Sequence, residues 1–115
     1  MMGRVIVDVD TPIIKGCSGI TVLSGAEATR GEEGACIKCA KCVAACPMAL
    51  EPYLLAKLAR LKKWDLAEEH NNVDCIECGC CSYTCPANLP LLDYIRLGKQ
   101  AVMTAMRARA NANKE

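Results

Sequence analysis

A mainly α-helical domain over residues 32–115, preceded by a short β-rich stub over residues 1–31, is the fold the sequence predicts. Three observations carry that expectation. Apolar residues recur at helical spacing over residues 52–63 and 91–110. β-branched runs are confined to the first 31 residues. Between and after the helical runs, cysteine-rich turns punctuate the chain twice in the same pattern.

The stub comes first. Arg4, Val5, Ile6, Val7, Asp8 and Val9, then Ile20, Thr21, Val22 and Leu23, read as two short strands separated by Thr11-Pro12 and Gly16-Cys17-Ser18-Gly19. Residues 31–34, with Glu32 and Glu33 between glycines, form a flexible approach to the first cysteines. In residues 52–63, Leu54, Leu55, Leu58 and Leu61 share one helical face and are read as core, while Lys57, Arg60, Lys62 and Lys63 point elsewhere. Pro52 suits the first turn of that helix. Asp65 with Glu68 resembles a capping box for a short helix over residues 66–70, and Asn71-Asn72 would end it. After Pro90 a long helix runs over residues 91–110, with Leu92, Ile95, Val102 and Met106 near one stripe, read as core with partner docking as the alternative. Arg107, Arg109 and Lys114 supply the favourable sign at its far end.

Composition narrows the function. The formal net charge of +1 calls for neither a nucleic acid nor an anionic membrane partner. There is no Phe, one Trp and three Tyr, so the usual fillers of a small core are scarce, while cysteine fills ten positions. No run approaches the roughly 18 apolar residues of a membrane span. No secretory signal is legible at the amino end, which points to a reducing compartment, where clustered thiols bind metal more readily than they form disulfides.

Cys36, Cys39, Cys42 and Cys46, followed by Pro47, recur 39 residues later as Cys75, Cys78, Cys81 and Cys85, followed by Pro86. Cys80 aligns with Lys41 and is therefore the non-ligand of its trio. Each run is C-x2-C-x2-C-x3-C-P, the spacing of bacterial-type 4Fe–4S sites. Three thiolates at this pitch wrap one face of a cubane, and the fourth, leading a helix after Cys-Pro, reaches the other cluster. The expected ligand sets are thus Cys36, Cys39, Cys42 and Cys85 for one cluster, and Cys75, Cys78, Cys81 and Cys46 for the other. Structural zinc closes at four ligands and leaves no use for a third cysteine at the same pitch. Cys17 and Cys80 are read as free thiols and His70 as a solvated or capping residue. With Lys38 and Lys41 on the first loop against Glu77 and Cys80 on the second, charge alone predicts the higher potential for the first cluster. No dinucleotide fingerprint, phosphate loop or catalytic triad is present, so no catalytic residue is assigned. The chain moves electrons.

The surroundings of the cysteines resemble one family. Ala35-Cys36-Ile37-Lys38-Cys39, Ala45-Cys46-Pro47-Met48, Asp65-Leu66-Ala67-Glu68-Glu69, Val73-Asp74-Cys75-Ile76-Glu77-Cys78-Gly79 and Cys85-Pro86-Ala87-Asn88-Leu89-Pro90-Leu91 are similar to the ferredoxin region of the C subunit of the Rnf-type electron transport complex. So is Thr11-Pro12-Ile13-Ile14-Lys15-Gly16-Cys17-Ser18-Gly19. The resemblance implies an α-helical ferredoxin-like domain with two 4Fe–4S clusters, and FMN and NADH sites upstream of this region. It implies the other subunits of the complex, and ferredoxin, as partners, and a peripheral place on the cytoplasmic side of the cell membrane. In such proteins Met1-Met2-Gly3 is internal, so the chain reads as a piece whose stub ends an upstream domain. The expected function is the iron–sulfur wire of a ferredoxin:NAD oxidoreductase coupled to ion translocation. The alternative is a free-standing soluble dicluster carrier, which has less use for an unfinished sheet.

Overall fold

The computed structural model describes residues 5–29 and 31–112. Its elements in chain order are helices α1 (Gly25–Ala28), α2 (Lys41–Ala44), α3 (Pro52–Arg60) and α4 (Trp64–Glu69), a 3-10 turn at Asn72–Asp74, and helices α5 (Cys80–Tyr83) and α6 (Leu91–Ala112).

The expected β-rich stub is not found: among the described residues there is no strand. Val5, Val7 and Val9 are 91%, 97% and 98% exposed. Backbone hydrogen bonds there close turns, from Thr11 N–H to the Asp8 carbonyl and from Cys17 N–H to the Ile14 carbonyl. A β-branched run forms a strand only against a partner edge, and two short segments alone cannot supply enough pairing or burial. Arg4, the first residue of the expected strand, lies outside the described residues, as does Lys114 at the far end of α6.

From residue 41 onward helices dominate. Pro52 opens α3 at its first turn, as its fixed φ and missing N–H allow. The helix stops at Arg60, and Lys62 at φ 54° turns the chain back. Leu55 and Leu58 are buried and Leu54 half-buried, but Leu61 is 56% exposed, because it falls after the helix has ended and its face has turned away. α4 begins two residues before the expected start, with Lys63 at its N-cap and Asp65 inside its first turn. No side chain caps it, so the expected capping box is absent. Asn71 does terminate the segment, in the left-handed region at φ 56°. Asn72 instead is fully buried, with its side-chain amide donating to the Ile95 carbonyl at 3.4 Å.

α6 packs along α3, α4 and the 3-10 turn. One core holds Leu55, Ala56, Leu89, Leu91 and Ile95 with Cys42 and Cys81; the other holds Leu58, Ala67 and Val102, covered by Trp64 and Val73. The α6 stripe is core as far as Val102, whereas Met106 is 43% exposed, since the last turns run past the helices beneath them. Arg109 there pairs with Glu68 of α4. In the contact between α3 and α6, an added Cβ on Gly98 would lie 3.3 Å from the Ala59 Cβ. These two small residues are separated by the same 39 positions as the cysteine motifs. The repeat thus extends beyond the cysteines into the helices, and its halves face each other across this contact.

Candidate iron–sulfur site

The two cysteine loops adopt the same backbone course. Lys38 and Ala40 have φ of 55° and 58°, and their repeat partners Glu77 and Gly79 have 58° and 81°. After each motif Ala49 and Asn88 both have φ 52°. α2 and α5 occupy matching positions, and each carries the deepest thiol of its loop, Cys42 at 8% and Cys81 at 7% exposed. Left-handed residues let a tight loop turn its backbone N–H groups toward an anionic group such as sulfur. One such bond is present, from the Glu77 N–H to the Cys75 Sγ at 3.4 Å.

Two cavities open against these loops. The first, of about 150 Å³, is lined by Cys36, Cys39, Cys42 and Cys85, with Tyr53 and Leu91 among its other walls. The second, of about 20 Å³, is lined by Cys46, Cys75, Cys78 and Cys81 with Leu55 and Ile95. Each cavity thus gathers three cysteines from one loop and the fourth from the other. Thiols surround a space here, and among the described residues no three metal-binding side chains converge as they would for a single ion. Four soft sulfur donors around a cavity, backed by N–H-lined loops, fit a cubane cluster. The second cavity is the narrower of the two.

Exposure separates the two sites. Cys36 and Cys39 are exposed, whereas Cys46, Cys75 and Cys78 are half-buried. Burial pushes the Cys42 thiol up, opposed by the Tyr53 N–H at the start of α3. Burial likewise raises Cys75, opposed by the Glu77 N–H and the Lys99 ammonium, and pushes Cys81 up to about 11. Iron must displace these protons, because the thiolate is the ligand.

Cys17 lies exposed in its turn, its thiol 3.5 Å from the Gly19 carbonyl, and lines neither cavity. Cys80 is exposed, lines neither cavity, and has its thiol raised by a hydrogen bond with Cys78. His70 is exposed at the end of α4. Sequence reasoning missed the left-handed residues, because among them only Gly79 and Asn88 announce such a conformation by type. It also missed Arg96 and Lys99 of α6, which reach the second loop. Their spacing of three on a helix that contacts that loop was the available signal.

Residues 28–86 match the model of the 4Fe-4S dicluster domain. Over 111 residues the chain is 41% identical to the C subunit of the Na(+)-translocating ferredoxin:NAD(+) oxidoreductase complex of Acetobacterium woodii, covering 96% of this chain and 25% of that protein. Over 97 residues it is 43% identical to the C subunit of the proton-translocating ferredoxin:NAD(+) oxidoreductase complex of Clostridium ljungdahlii, covering 84% and 21%. The C subunit of the ion-translocating oxidoreductase complex of Methanosarcina acetivorans is 39% identical over 103 residues, covering 89% and 23%. The chain therefore spans about a quarter of the length of these relatives. None of the helices in the described residues is long and apolar enough to cross a membrane. With two matching cysteine loops, two four-cysteine cavities and the family match over residues 28–86, the chain belongs to the 4Fe-4S dicluster domain family and carries two 4Fe–4S clusters.

Proposed function

We propose that the chain passes electrons between two 4Fe–4S clusters, one on Cys36, Cys39, Cys42 and Cys85, the other on Cys75, Cys78, Cys81 and Cys46. The observation that carries this reading is the exchange of the fourth cysteine between the two cavities. When bound, each cluster supplies one-electron redox chemistry. The residues of the chain do the rest. Eight thiolates would anchor the irons, the Glu77 N–H faces the Cys75 sulfur, and Leu55, Leu91 and Ile95 keep water from the inner walls. Exposed Cys36 and Cys39 make the first site the better exit or entry point for an electron.

The wider role is that of the iron–sulfur part of a membrane-associated ferredoxin:NAD oxidoreductase complex coupled to ion translocation, peripheral on the cytoplasmic side. Residues 32–115 form the cluster domain, and residues 1–31 lead from an upstream part bearing the FMN and NADH sites. The names of the relatives support this over a free-standing carrier, as does their fourfold greater length.

Anaerobic preparation should give about eight iron and eight sulfide per chain, two clusters' worth. Cys46→Ser should perturb the EPR signal of the cluster on Cys75, Cys78 and Cys81, and Cys80→Ser should leave both signals intact. Loss confined to the cluster on Cys36, Cys39 and Cys42 in Cys46→Ser would rule out the proposed ligand exchange. The wider role is refuted if membranes stripped of the native protein keep full ferredoxin-dependent NAD reduction.

A further inference from the structure

Residues Cys75 to Glu77 are held from three sides. Arg96 Nε donates to Glu77 Oε2 at 2.9 Å, and Lys99 Nζ lies 3.6 Å from Glu77 Oε1. The same Lys99 ammonium donates to the Cys75 carbonyl at 2.6 Å. The Glu77 N–H, in turn, points at the Cys75 sulfur. The side chains of Arg96 and Lys99 are 20% exposed and that of Glu77 31%, so solvent and salt screen these charges less than they would at an open surface.

The repeat supplies an internal comparison. Counting back 39 positions, α3 carries Lys57 and Arg60 where α6 carries Arg96 and Lys99. The first loop, however, has Lys38 in the place of Glu77. A cation cannot pair with cations, and Arg60 lies instead over the Tyr94 ring at 5.4 Å. Among the described residues, only the second loop is joined to its helix by an ion pair. Two cations face one carboxylate there, so these three groups carry a net charge of about +1, with the exposed Asp74 next to Cys75 in sequence. Arg96 and Lys99 together more than offset Glu77, so the trio as a whole does not lower the potential of the second cluster.

We propose that Arg96, Lys99 and Glu77 form a brace that positions the second cysteine loop and raises the potential of the cluster seated on it. The inference rests on the two-cluster reading above. Lys99 is the central positioning residue, since it alone touches both the backbone at Cys75 and the carboxylate of Glu77. Reduction adds negative charge to the cluster, so a nearby ammonium favours the reduced state. Hydrogen bonds that fix the loop also fix the N–H that faces sulfur.

The test uses the whole chain, prepared anaerobically, with iron and sulfide content measured before redox titration by EPR. A wild-type chain without two clusters would refute the two-cluster reading itself, independently of the brace. Given two clusters, Lys99→Met should lower the midpoint of the signal that Cys46→Ser perturbs and leave the other unchanged. Lys99→Arg keeps the cation and should restore most of that shift. Glu77→Gln frees two cations and should move the same midpoint upward. Should Lys99→Met shed iron, a loss confined to the second cluster supports the positioning role, and a loss from both overturns it. Full iron content with neither midpoint shifted, or with both shifted equally, also overturns the proposal.

Discussion

Replacing Gly98 by alanine sets two opposed effects against each other at the contact between α3 and α6. Within a helix interior the exchange gains about 1 kcal/mol of propensity. Against that gain, the new Cβ would stand 2.6 Å from the Asn72 side-chain nitrogen and 3.3 Å from the Ala59 Cβ. Asn72 has no exposed surface, and its amide is held by the bond to the Ile95 carbonyl. Relieving the clash must either break that bond, at about 1 kcal/mol, or push α6 off α3, at the ~1–3 kcal/mol typical of an overpacked core. The net expectation is a loss of about 0–2 kcal/mol, drawn from the same ranges. In an Asn72→Ala background the tighter of the two contacts is gone, together with a buried Oδ1 that has no hydrogen-bond partner, and only the 3.3 Å approach to the Ala59 Cβ remains. There Gly98→Ala should stabilise by up to about 1 kcal/mol, giving a coupling of roughly 1–3 kcal/mol between the two sites. The assay is the rate of cluster bleaching at a fixed guanidinium concentration under anaerobic conditions, since unfolding releases the clusters. With about 1.4 kcal/mol per tenfold in rate, Gly98→Ala should bleach up to roughly 30-fold faster than wild type. The reasoning fails if Gly98→Ala alone slows bleaching, or if the two single effects simply add in the double variant.

Gly79→Ala puts a Cβ at φ 81° and should cost about 1 kcal/mol, while Ala40→Gly at φ 58° should gain a similar amount; opposite changes in bleaching rate are the check. Leu55→Ala empties a fully buried position and should cost about 2–5 kcal/mol, whereas Leu61→Ala should stay within about 0.5 kcal/mol; equal effects would contradict the observed end of α3. Because burial raises the Cys42, Cys75 and Cys81 thiols, fewer thiolates are ready at neutral pH than in an open chain. The thiolate fraction grows as pH rises toward these raised values, so reconstitution from iron and sulfide should speed up from about pH 7 to about pH 9, and a flat or falling profile would count against it.

The cysteine register was legible because thiol spacing is itself the chemical signal, and the two cavities gather the residues that the spacing pairs. α3 and α6 were legible because leucines and isoleucines at helical spacing have one way to be buried. Where reading failed, the missing information was tertiary. Val5, Val7 and Val9 have the composition of a strand, but composition does not supply the neighbouring edge that a strand needs. Leu61 and Met106 continue their stripes past the point where a packing partner ends, and periodicity is blind to that point. Asn72 looked like a helix terminator and is a core residue, because the small Gly98 leaves room for an amide beside α6. Lys38, Ala40 and Glu77 sit in the left-handed region although nothing in their side chains asks for it. Their conformation follows from the path that three closely spaced cysteines impose on the loop.

The sharing of cysteines between cavities also sets a timetable. A growing chain exposes Cys36, Cys39 and Cys42 first, yet the cavity they line takes its fourth wall from Cys85. At roughly 5–20 residues per second, the ribosome needs about 2–10 s to cover the intervening stretch. Throughout that interval the early thiols stand open to oxidants, with no closed site to receive iron. Cys46 likewise waits for Cys75, Cys78 and Cys81. Cluster delivery must therefore follow synthesis of α5, and a transcript cut short anywhere before Cys85 leaves the first site without one corner and the second without its neighbour.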